Sequence, residues 1–140
     1  MLVQTVSKGG NLLLNVGPNA KGEIQKEACR VLERVGEWMR VNGESVIACG
    51  RAVEMKKPEW GRYTQRGGKV YAHVFERPTG PIVFEGLGRG RVKKARFLAD
   101  GSELVIDKPW NAPEGSEDLF VTLPRTPLFD ELDTVIVLEV

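Results

Sequence analysis

The sequence is poor in the residues on which most catalytic and metal chemistry depends. It contains one histidine, His73, and two cysteines, Cys29 and Cys49, among 140 residues. A single imidazole excludes a metal centre built from several histidines and leaves no evident Ser-His-Asp triad. Two isolated thiols cannot form a disulfide framework, and their spacing fits no zinc motif, so both read as structural. Long apolar runs are also missing: Leu12–Leu14 with its flanks falls far short of the roughly 20 residues that a membrane span requires. Met1–Gly10 has no charged start followed by an extended apolar stretch, so no secretory signal is expected there, and the compartment stays open. An excess of one charge is lacking too. Twenty Lys and Arg against 19 Asp and Glu leave a net charge of +1, which removes any general attraction to nucleic acid or an anionic membrane. Neither is an expected partner, and no metal or other cofactor is expected.

What remains is a globular composition, 41% hydrophobic and 28% charged, divided into two unlike parts near Gly50–Glu59. In the first part Asn11–Val16 (NLLLNV) is a short apolar run between Gly9-Gly10 and Gly17-Pro18, the signature of a buried parallel strand. Ile24–Val41 then carries helical periodicity. Ile24, Ala28, Val31, Leu32, Val35, Trp38 and Met39 share one stripe, expected to pack on a sheet. Glu23 and Glu27 suit the positive end of the helix dipole, Arg40 its last turn, and Asn42-Gly43 a left-handed cap. One strand and one helix do not make a domain. The faces of NLLLNV need neighbours that the sequence does not supply, so they must come from the remaining residues or from a larger α/β protein.

The second part alternates with period two. Lys69–Phe75 places Val70, Ala72 and Val74 on one side and Tyr71, His73 and Phe75 on the other. Further strands are expected at Arg62–Thr64, Ile82–Glu85, Arg91–Leu98, Leu119–Leu123 and Thr134–Val140. Asp100-Gly101 signals a hairpin, with Glu103–Asp107 as the return strand. About seven strands with no helix between them indicate an antiparallel β-sandwich or barrel.

The stretch Ser7–Pro18 (SKGGNLLLNVGP) resembles the last barrel strand of glycoside hydrolase family 29, the α-L-fucosidases. The resemblance continues through Gly22–Ile24, Val35–Trp38 (VGEW) and Val41–Glu44 (VNGE). Trp60–Thr64 (WGRYT), Lys69–His73 (KVYAH) and the closing Asp133–Val140 (DTVIVLEV) are similar to that family's C-terminal sandwich. Asn19 and Lys21 depart from the residues many members carry there, and Ser45–Gly50 is a looser match. The resemblance implies a mainly β chain: an antiparallel sandwich of about seven strands, preceded by one strand–helix unit left from a (β/α) barrel. It implies residues 1–50 as the end of the barrel, 51–59 as a linker and 60–140 as the sandwich.

Family members retain anomeric configuration through two carboxyl groups roughly 5 Å apart. The resemblance places both upstream, so no catalytic residue is carried over and the chain alone is expected to be inactive. Asp130, Glu131 and Asp133, like Glu114, Glu117 and Asp118, read as solvated turns with no apolar neighbour to raise a pKa. His73 reads as a packed or surface sheet residue. The basic run Arg89, Arg91, Lys93, Lys94 and Arg96 reads as a solvent-facing strand rather than a nucleic-acid site, which would want aromatic stacking partners. Trp38 is expected in the core and Trp60 at the junction with the barrel. Trp110, in the Lys108–Pro113 loop, is the candidate exposed glycan platform. Asn15 and Asn19 fall at the C-terminal end of the last barrel strand, where barrel active sites form, and are the substrate-proximal candidates. The implied partners are fucosylated glycans in the intact parent enzyme, with an upstream barrel or a second copy of the chain covering the orphan strand. The alternatives are a carbohydrate-binding sandwich and an oligomerising accessory domain.

Overall fold

A computed structural model describes residues 1–125, 128 and 130–140, except the side chain of Arg89. The chain is mainly β. Two helices come first, α1 (Leu2–Val6) and α2 (Lys26–Asn42), the latter running into a single 3-10 turn at Gly43–Ser45. Eight strands follow: β1 (Gly50–Arg51), β2 (Gly61–Arg66), β3 (Lys69–Val74), β4 (Ile82–Phe84), β5 (Lys94–Phe97), β6 (Val105–Ile106), β7 (Leu119–Thr122) and β8 (Thr134–Glu139). They form a five-stranded sheet in the order β1-β2-β3-β8-β5 and a three-stranded sheet in the order β4-β7-β6, antiparallel throughout.

The alternation read in Lys69–Phe75 explains how the two sheets meet. Val70, Ala72 and Val74 of β3 point inward with Ile136 and Leu138 of β8, and meet Ile82, Phe84, Leu119 and Val121 of the small sheet. Trp60 joins this core, its ring edge-on to Tyr63 and Phe84 with centroids 5.5 and 5.6 Å away. Trp60 is half-buried and packs on the sandwich core. The close β2–β3 approach depends on Gly61, where a Cβ would lie 1.8 Å from the His73 carbonyl oxygen.

The other side of the large sheet is buried as well. Tyr71, Val135 and Val137 form a second apolar cluster with Trp38 and Cys49. The last turns of α2 and the 3-10 turn are thus a third layer, laid on the outer face of β2, β3 and β8.

Four local expectations are corrected. NLLLNV forms no strand: Leu13 is 84% and Leu14 46% exposed, and the loop beyond it is ordered by an isolated bridge between Pro18 and Ile24 and by hydrogen bonds of Asn19. A parallel strand cannot satisfy its backbone without strands beside it, and none lies there among the described residues. The stripe on α2 is at most half-buried: Ala28, Leu32, Trp38 and Met39 are partly covered while Ile24, Val31 and Val35 stay exposed, Val31 at 61%, since only Trp38 rests on the sheet and Met39 on the α1 cluster. Gly43 is right-handed, at φ −55°, and continues the helix instead of capping it. Finally, the hairpin at Asp100-Gly101 forms, with Gly101 at φ +74°, but its return strand changes sheets. Glu103 still bridges Arg96, whereas Val105–Ile106 pairs with β7.

Candidate functional site

Asn19 sits in the turn that joins the NLLLNV segment to α2. Its Oδ1 accepts the backbone N–H groups of Lys21 (2.9 Å) and Glu23 (3.0 Å), and its Nδ2 donates to Glu23 Oε2 at 3.1 Å. An Asn side chain used in this way shapes a loop. Asn15 is exposed four residues earlier. Trp110 lies on the sandwich, in the β6–β7 loop, and is 97% exposed. Among the described residues no hydrogen bond or ring contact joins Trp110 to either asparagine, so the three candidates do not form one constellation. Nor does any group of three His, Cys, Asp or Glu side chains among the described residues converge as a metal site requires.

Around α2 the structure places two features that sequence reasoning missed in part. The first is an apolar cleft of about 470 Å³ between α1, the NLLLNV segment and α2, lined by Leu2, Leu12, Leu14, Val31, Val35 and Trp38 among others. The second is a polar joint beneath the C-terminal end of α2. Glu44 Oε1 accepts both Lys69 Nζ and the Tyr71 hydroxyl, each at 2.7 Å. These two hydrogen bonds, that from Lys69 foremost, hold the Glu44 carboxyl below its ordinary range. Burial, reinforced by the bond to Glu44, pushes the Tyr71 hydroxyl up to about 12.

Beside it, His73 is fully buried and bonds in two directions. Its Nδ1 lies 2.9 Å from Asp133 Oδ2, and its Nε2 lies 3.1 Å from Thr64 Oγ1. Thr64 Oγ1 donates to the Ser45 carbonyl at 2.5 Å, Ser45 Oγ donates to the Asn42 carbonyl at 2.7 Å, and Trp38 Nε1 donates to the Asp133 carbonyl at 2.9 Å. The reading of His73 as packed in the sheet holds. The reading of Asp133 as a solvated turn residue does not: it is 7% exposed, and burial pushes its carboxyl up, although His73 pulls it down. The contiguity of Asp133 with Thr134 and the apolar strand β8 was the available signal, outweighed by its polar neighbours Asp130 and Glu131.

Arg91 pairs with Glu54, Lys94 with Glu103 and Arg96 with Glu139; the Arg89 side chain lies outside the described residues. Asp118 accepts the Gly86 N–H and the Ser116 hydroxyl, which hold its carboxyl low.

Comparison with known proteins gives a consistent result. The family model described as Alpha-L-fucosidase matches residues 1–44. The tissue alpha-L-fucosidase of Bos taurus is 44% identical over 129 residues, covering 90% of this chain and 26% of that protein. Its counterpart in Homo sapiens is 33% identical over 136 residues, covering 90% and 27%. Among solved structures, alpha-L-fucosidase isoenzyme 1 from Paenibacillus thiaminolyticus is 56% identical, with a TM-score of 0.91 over 98% of this chain and 32% of that one. A GH29 alpha-L-fucosidase from Bacteroides thetaiotaomicron is 29% identical with a TM-score of 0.83. The chain spans about a quarter to a third of the length of these relatives. A sequence and fold matched nearly end to end, yet to only part of each relative, make this chain a member of the α-L-fucosidase family, glycoside hydrolase family 29, corresponding to its C-terminal portion.

Proposed function

We propose that the chain is the end of the catalytic barrel and the buttressing sandwich of an enzyme that releases L-fucose from fucosylated glycans, and that it has no turnover alone. On this reading residues 1–50 are the barrel end, 51–59 a linker, although Gly50–Arg51 already pairs with β2, and 60–140 the sandwich. The observation that carries it is the exposed apolar surface of NLLLNV and α2, with Leu13 84% and Val31 61% exposed beside the cleft. Isolated large apolar side chains are ordinary on a surface, but a contiguous cleft of them calls for a cover. An upstream barrel supplies strands beside NLLLNV and helices beside α2. Asn15 and Asn19 would then stand at the rim of the barrel's C-terminal face, with Asn19 shaping the loop rather than touching sugar.

The test is hydrolysis of an aryl-fucoside by the purified chain and by a longer protein carrying the upstream barrel. Activity is expected only in the longer protein. Fucose release that co-purifies with the 140-residue chain through successive columns would overturn the reading. A second reading, a glycan-binding sandwich, is favoured by one observation, the 97% exposure of Trp110. Titration with fucosylated glycans checks it: quenching of Trp fluorescence that vanishes in Trp110→Ala supports binding, and unchanged fluorescence removes it. Self-association through the apolar cleft would appear as a dimer in light scattering.

A further inference from the structure

We infer that the buried His73–Asp133 pair is a proton-linked latch, holding one proton more than a neutral imidazole beside a carboxylate and thereby keeping the turn after α2 docked on the sheet. The inference comes from counting hydrogens. A Thr hydroxyl has one hydrogen to donate, and that of Thr64 goes to the Ser45 carbonyl at 2.5 Å, an oxygen that can only accept. Thr64 Oγ1 therefore faces His73 Nε2 with a lone pair, at 3.1 Å, and Nε2 must carry a hydrogen. On the other side of the ring Nδ1 and Asp133 Oδ2 stand 2.9 Å apart, which requires a second hydrogen between them. Whether that hydrogen rests on nitrogen or oxygen leaves the count unchanged: two protons on the pair. A neutral imidazole beside an ionised Asp133 has only one. Its Nε2 would then require the Thr64 hydrogen, and the buried Ser45 carbonyl would lose its donor.

The surroundings suit such a pair. His73 is fully buried, and burial pushes the Asp133 carboxyl up. From the loop before β8, Asp130 opposes ionisation of Asp133, although Arg34 of α2 binds Asp130 at 2.7 Å; the Met1 amino group acts the other way. Arg62 of β2 is the cross-strand partner of His73, with its guanidinium on the Gly61 carbonyl. From the turn after α2, Glu44 is held by Lys69 and Tyr71, and burial pushes the Cys49 thiol up.

The pH dependence follows in sign. Above about pH 6.5 an unfolded chain carries imidazole and carboxylate, one proton fewer than the folded pair. Folding takes up that proton, so stability falls as pH rises. The unfolding constant is expected to grow by up to about tenfold per pH unit as pH rises above about 7, the slope of one linked proton. Asp133→Asn is the control. The amide can donate to Nδ1 while Nε2 keeps its hydrogen, so every bond is met without the extra proton.

The experiment combines urea unfolding of the 140-residue chain and its Asp133→Asn variant at several pH values with nitrogen NMR of the His73 ring in the unaltered chain at pH about 7.5. A protonated Nε2, with a slope that flattens in Asp133→Asn, is the expected result. A lone-pair Nε2, a stability that does not fall with pH, or an equal slope in the variant would overturn the inference. Should the variant not fold, the ring-nitrogen spectrum decides alone.

Discussion

Leu13 and Leu138 are the same residue in similar apolar runs, NLLLNV and TVIVLEV, yet Leu13 is 84% exposed and Leu138 is fully buried. The difference lies in the neighbours. Leu138 sits in β8, hydrogen-bonded to β3 on one side and β5 on the other, with the small sheet across the core. Leu13 has no strand beside it. Apolar character supplies the tendency to be buried, but pairing partners decide whether a strand exists.

The largest expected effect comes from attacking the buried side of this contrast. Phe84→Ala removes a fully buried ring that packs on Trp60 and Tyr63, and should cost about 3–5 kcal/mol in urea unfolding. Leu13→Ala in the same chain should change stability by less than about 0.5 kcal/mol. With the upstream barrel attached, the cost of Leu13→Ala should rise to about 2–5 kcal/mol; an unchanged, negligible cost there would break the comparison. A smaller effect is expected at the strand entry. Gly61→Ala would thrust a methyl 1.8 Å from the His73 carbonyl oxygen. Separation of β2 from β3 should lower stability by about 1–3 kcal/mol, read as a lower urea midpoint.

The smallest effect concerns the polar joint. Tyr71→Phe deletes one of the two donors to Glu44 Oε1 and should cost about 1 kcal/mol. Glu44 also gives a sign in acid. Its carboxyl is held low in the fold, so its contribution is complete above the unfolded carboxylate range and disappears as pH falls through the folded one. Glu44→Gln should therefore narrow its stability deficit relative to the unaltered chain as pH is lowered from about 5 to 3. A constant deficit would locate the role of Glu44 in shape rather than charge.

Much of the sandwich was legible because period-two burial is a local property. Lys69–Phe75, Leu119–Leu123 and Thr134–Val140 all became strands near their expected bounds. The change of sheets after Glu103 was not legible, since a strand's side chains alternate in the same way whichever sheet receives it. Nor was the polar joint. Glu44 meets Lys69 and Tyr71, and Asp133 meets His73 from 60 positions away in sequence, separations that no local pattern encodes. Asn19 and Trp110 were placed in loops from sequence, as found, whereas Asn15 was placed at the end of a strand that does not form.

The strand order of the large sheet has a further meaning for the order of assembly. β8 is the last of the described strands in sequence but stands between β3 and β5. During synthesis the β2–β3 hairpin can close at once through a two-residue turn, whereas β5 has no sheet to join until residues 134–139 have been made. Until then Tyr71, Val70 and Phe97 lack their lateral cover. During synthesis the large sheet therefore carries an open slot, which one continuous stretch of six residues fills, joining a local hairpin to a strand that has no other neighbour in that sheet.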